Sequence, residues 1–169
     1  MIINEYELNT AVVDLYRARF YEGCGDAQSA KDIYERLDPK CFDSKANLFM
    51  AGVERNSSSS KSVANTKISD YHIEAIKSAK SMDDLAEVHG DLMERANNKA
   101  RLYYFNYLGA CLLQDRELGK GYDESDLHTL LDWFLQLRGK VYVQYGNVHK
   151  LYSEMQLAVL FKYGRPDGS

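Results

Sequence analysis

Apolar residues recur every three or four positions along most of the chain, the spacing that places them on one face of an α-helix. Asn4 to Glu22 is the first such run. Leu8, Val12, Leu15 and Arg19 form a row with Ala11 and Ala18 beside it, and Gly23-Cys24-Gly25 ends the helix, glycine being favoured there. A short helix follows, capped by Asp26 or Ser29 and buried through Ala30, Ile33, Tyr34 and Leu37. Asp38-Pro39 stops it, because the residue before a proline avoids helical angles. Ser44 is the expected cap of a third helix, in which Ala46, Phe49, Met50 and Val53 align.

The pattern lapses at Asn56-Ser-Ser-Ser-Ser-Lys-Ser62, a composition that favours a flexible loop. The expected organisation is an N-terminal helical unit over 1–55, a Ser-rich loop or linker over 56–67, and a main helical bundle over 68–169. Ser69 is expected to open a helix bearing Tyr71, Ile73, Ile76 and Ala79. Ser81 and Asp84 form a variant of the capping box. From there Leu85, Val88, Leu92, Ala96, Ala100, Tyr103, Tyr107 and Ala110 keep one stripe, which predicts a single helix from Met82 to about Asp115. Gly90 and Asn97-Asn98 are its weak points.

Within that stretch, Leu102–Leu113 holds eleven apolar, aromatic or small residues out of twelve, Asn106 being the exception. A helix apolar on every side must be buried on every side, and a bilayer span needs about 20 residues. It is therefore predicted to be the central helix, with Tyr103, Tyr107, Leu108, Cys111 and Leu112 hidden from solvent. Ser125 is expected to cap a helix through Leu127, Leu130, Leu131, Phe134 and Leu135. Lys140 to Tyr145 alternates like a strand and Gly146-Asn147 would turn a hairpin, but with no second strand nearby a fraying helix is preferred. Val148, Leu151, Tyr152, Met155, Val159 and Tyr163 mark the last helix. The fold class is all-α: six to seven helices around a central buried helix, with a smaller N-terminal helical unit.

Composition supports this and narrows the chemistry. The chain has 169 residues and only two prolines, Pro39 and Pro166, where the usual share of ~5% would give roughly eight. Net charge is −4, so the basic excess of a general nucleic-acid or anionic-membrane binder is missing. Three dispersed cysteines, Cys24, Cys41 and Cys111, make no CxxC pair and no disulfide framework. With no basic leader or transmembrane-length run, a cytoplasmic location is expected and membrane binding is not.

No recognisable catalytic motif is present, so neither enzyme nor cofactor is expected. His72, His89, His128 and His149 form no His-x-x-x-His or Glu-x-x-His pair, so no metal ligands are assigned. Gly119-Lys-Gly121 lacks the frame of a phosphate loop. Cys24, between glycines, reads as a turn residue. Residues 29–56 resemble a helix-turn-helix with a stretched turn, offering Lys45, Asn47 and Arg55 to DNA, but residues 1–67 carry nine bases and ten acids.

Two surfaces stand out. Asp84, Glu87, Asp91 and Glu94 put four carboxylates along one helical face, where like charges repel by a few tenths of a kcal/mol each. Of 13 tyrosines, Tyr142, Tyr145 and Tyr152 interleave with basic residues near the C-terminus and suit an interface. The expected function is a non-enzymatic interaction protein with a protein partner, of the kind phages and mobile elements encode as inhibitors or accessory factors. Self-association stays open. The alternatives are a helical nucleic-acid-binding regulator, or an enzyme whose site gathers His89, His128, His149 and carboxylates.

Overall fold

The computed structural model describes residues 5–57, 61–113, 124–141 and 147–164. These are helical nearly throughout, with eight α-helices and no strand among them. The all-α class holds, with a helix more than the six or seven expected. The chain divides into two compact units, Met1–Ser78 and Ala79–Ser169.

The first unit contains α1 (Glu5–Gly23), α2 (Ala27–Arg36), α3 (Ser44–Ser57) and α4 (Lys61–Ser78). Ala11, Leu15 and Ala18 of α1 are buried as expected, whereas Val12 lies toward solvent. Leu15, Ala18, Ala30, Ile33, Tyr34, Phe42, Ala46 and Met50 share one apolar core. Asp26 caps α2 by accepting from the Ser29 amide at 3.1 Å. The cap of α3 is Asp43, not Ser44: its Oδ1 accepts from the Ala46 amide at 3.0 Å, while its other oxygen pairs with Arg19 of α1. One carboxylate thus starts a helix and ties it to another.

Of the expected loop at 56–67, residues 58–60 lie outside the described residues and the rest is helix; Ser69 is a buried mid-helix residue. The two compact units part between Ser78 and Ala79. Tertiary packing explains the outcome: Ala51 and Ile68 bury together with Tyr71 against them, and Asn47 Nδ2 donates to Ser78 Oγ at 3.2 Å. These contacts hold α3 and α4 together.

The second unit contains α5 (Met82–Arg95), α6 (Asn98–Leu113), α7 (Leu127–Leu137) and α8 (Asn147–Tyr163). The single helix predicted from Met82 to Asp115 is two. Asn97 breaks it, its Oδ1 accepting from the Ala100 amide at 3.3 Å in the manner of an N-cap. Arg101 closes the joint, donating from Nε to Leu92 O and from Nη2 to Met93 O, both at 2.9 Å. The break shifts the buried stripe. Ala100, Tyr104, Phe105, Leu108, Cys111 and Leu112 are buried, while Tyr103 and Tyr107, predicted to be hidden, are half-buried.

α6 is nonetheless the centre of this unit, with α5, α7 and α8 packed on it. Phe105 stacks on Phe134 of α7 at 4.3 Å and meets the Tyr152 ring of α8 at 4.5 Å. Gly109 leaves room for the Met155 side chain of α8: a Cβ there would come within 2.8 Å of its Cγ. A short 3-10 turn at Glu124–Asp126 leads into α7. Of the disputed stretch 140–152, residues 142–146 lie outside the described residues, and α8 begins at Asn147. No helix among the described residues is long and apolar enough to cross a membrane.

Candidate functional site

The acidic face lies on α5, opposite the Leu85, Val88, His89 and Leu92 row that turns inward. Glu87 and Glu94 are exposed, Asp84 and Asp91 half-buried. Part of this charge is used locally. Ser81 Oγ accepts from the Asp84 amide and Asp84 Oδ2 accepts from the Lys80 amide, each at 3.2 Å, which fixes the start of α5. Asp91 and Glu94 share Arg95, at 3.7 and 3.8 Å. The first-turn acids also face the positive end of the helix dipole.

The C-terminal tyrosines are divided by the structure. Tyr142 and Tyr145 lie outside the described residues. Tyr152 is half-buried: its hydroxyl donates to Arg138 O at 3.2 Å and its ring packs on Phe105. Burial raises its pKa above the ordinary phenolic value. It joins α8 to the core of the unit.

The histidines have different surroundings. His72 is fully buried in α4, His128 is exposed on α7, and the side chain of His149 lies outside the described residues. His89 has a built environment. Its ring stacks on Trp133 at 4.5 Å, Nδ1 lies 2.9 Å from Tyr104 Oη, and Nε2 lies 3.2 Å from Gln136 Oε1. Burial lowers its pKa, with the Gln136 bond and the charge of Asp132 acting the other way. No group of three metal-ligating side chains occurs among the described residues. Within the helix-turn-helix reading, Lys45 and Arg55 are exposed, but Asn47 is buried and bonded to Ser78.

The first unit contains a second polar cluster. Tyr34 Oη donates to Glu22 Oε2 at 2.6 Å, within reach of the Arg19 charge. Burial raises the pKa of both Glu22 and Tyr34. It ties α1 to α2.

The surface that the residue pattern did not single out is the outer face of α1. Val13 is 57% exposed, and Tyr16 and Phe20 are each 66% exposed, with Val12 at one edge. Val13, Tyr16, Arg17, Phe20 and Tyr21 line an open groove of about 440 Å³. The signal was present in the chain: positions 13, 16, 17, 20 and 21 follow helical spacing as well as the inner row does. The inner row alone accounts for the packing of α1, so the second row carries no local mark of its exposure. A smaller pair, Leu157 and Phe161, is exposed on α8.

Compared with family models, curated proteins and solved structures, the chain matches none.

Proposed function

We propose that this chain is a non-enzymatic interaction protein that binds another macromolecule through a helical face. The observation that carries the reading is the outer face of α1, where Val13, Tyr16 and Phe20 present a contiguous apolar strip opposite the buried Ala11, Leu15 and Ala18. Single exposed apolar residues are ordinary, but a contiguous strip with two aromatics is the kind of surface that marks an interaction site. Aromatic and arginine side chains also supply most binding hot spots, and Arg17 borders the groove. The acidic face of α5 is the second surface; its charges are partly committed to capping and to Arg95, so it ranks below α1.

The test is capture from native host lysate by the full chain and by two variants. One is Val13→Ser with Phe20→Ser. The other combines Asp84→Asn, Glu87→Gln, Asp91→Asn and Glu94→Gln. A partner held by wild type and lost only in the first variant places binding on α1. Loss only in the second, with a salt-sensitive association rate, transfers it to the acidic face. Capture unchanged in both removes the support for either surface.

A further inference from the structure

We propose that His89 is a proton-controlled tie: with its imidazole neutral it fastens α5 to α6 and α7, and protonation loosens α5. This stands apart from the binding reading and rests on the geometry inside the second unit. His89 projects from the inner row of α5, and its two ring nitrogens reach different helices, Nδ1 to Tyr104 of α6 and Nε2 to Gln136 of α7. Trp133, also on α7, covers the ring face at an interplanar angle of 15°. A single side chain therefore touches both neighbours.

Asp132 sets the direction of the hydrogen bonds. Gln136 Nε2 donates to Asp132 Oδ2 at 3.0 Å, because an ionised carboxylate only accepts. Gln136 then turns its carbonyl oxygen toward His89. His89 Nε2 carries the hydrogen, and Nδ1 is left to accept from the Tyr104 hydroxyl. A proton added at Nδ1 converts that acceptor into a donor. Tyr104 Oη must then accept instead of donate, and a full charge sits where the helices shield it from water.

Among the described residues, the titratable groups facing the imidazole are Tyr104 from α6 and Asp132 from α7. Asp132 and the Trp133 face both favour a cation. Asp132, however, is exposed and lies beyond Gln136, so solvent screens it. Burial is the larger effect and the neutral form is preferred.

Trp133 is the sole tryptophan of the chain, which supplies a direct readout. An imidazolium quenches the fluorescence of an indole stacked on it. Emission from the full chain is expected to fall on acidification along one titration, with a midpoint below the ordinary histidine value of 6.5. Over the same range, amide exchange in α5, corrected for its intrinsic pH dependence, is expected to rise about threefold or more while α2 and α3 hold steady. In His89→Gln, which keeps a neutral polar group in place, both changes should disappear. A quench with no gain of exchange in α5, or the same gain in His89→Gln, overturns the proposal. Should that variant fail to fold, the wild type decides alone: α5 amides that loosen with the titration of the His89 ring protons support the tie, and amides that stay unmoved through it overturn it.

Discussion

Helices α1 and α6 have the same defect in pattern and opposite fates. Neither is clearly amphipathic, since each carries apolar residues on opposing sides. α6 is packed by three helices of its unit and buries Tyr104, Phe105, Leu108 and Leu112 completely. In the first unit α1 packs chiefly on α2, burying Ala11, Leu15 and Ala18 while Tyr16 and Phe20 remain two-thirds exposed. A weak helical periodicity therefore signals two packing surfaces. How many neighbours the unit supplies decides whether both are filled.

The largest effect expected from this contrast is Phe105→Ala. The ring lies between Phe134 and Tyr152, and its loss empties the middle of the second unit. The cost should be about 3–5 kcal/mol, read from chemical denaturation of the full chain. Tyr107→Ala should cost clearly less, because Tyr107 is half-buried. Equal costs at the two positions would mean that the buried stripe of α6 does not shift at Asn97.

Arg101→Ala is the next step down. It removes two bonds to the carbonyls of Leu92 and Met93 at the α5–α6 joint. Bonds from a charged donor are worth about 1.5–3 kcal/mol, and partial exposure of Arg101 places the expected loss toward the lower figure. Amide exchange should increase in the last turn of α5 before it does elsewhere. Loss of stability without that local change would argue against a capping role.

The sequence revealed the helices and not their division. Ala30, Ile33, Tyr34 and Met50 are buried as their spacing requires, because short helices with one apolar row have one way to pack. The break at Ala96–Asn97 was invisible to periodicity: Ala96 and Ala100 carry the row of α5 across it, and the shift to Tyr104, Phe105 and Leu108 follows only from the cap at Asn97 and the bonds of Arg101. Beside the serine run local preference is for loop, yet the described residues up to Ser57 and from Lys61 are helix, held by the contacts of Ala51, Ile68 and Asn47. Of the surfaces, the acidic face could be read directly, since four spaced carboxylates need no tertiary information. The exposure of α1 depends on what packs beside it, which no local pattern contains.

The two units should also respond oppositely to mild acid, by an amount no larger than about 1.4 kcal/mol per unit of pKa shift. Burial holds the folded-state pKa of His89 below 6.5, so the unfolded chain binds that proton more tightly. The His89 contribution is intact above about pH 6.5 and is lost as pH falls toward the folded-state value. Glu22 is the reverse. Burial raises its folded-state pKa above 4.5, so its contribution is present below 4.5 and is lost as pH rises through the folded value. Because Glu22 is half-buried, screening makes its effect the smaller. Exchange resolved by helix, from pH 7.5 down to 5, should show α5 loosening while α1 and α2 hold or tighten. Parallel loosening in both units would remove the contrast.

The smallest stability effect is expected on the outer face of α1, and it tests the comparison most sharply. Val13→Ser with Phe20→Ser replaces apolar groups that already face water, so the folded state loses little burial, and surface changes of this kind usually stay within about 0.5 kcal/mol. Leu15→Ser, on the same helix two residues from Val13, removes a side chain from the core shared with Ile33, Tyr34 and Met50. Its cost should be several times larger, because burial is lost and a hydroxyl enters an apolar site. Paired thermal melts of the two variants separate the faces of one helix under identical conditions. If the outer-face variant melts as early as Leu15→Ser, that face is covered within the folded chain and α1 is not a binding surface. If it melts with the wild type, the strip is free to meet a partner, and its two aromatics account for most of the affinity it offers.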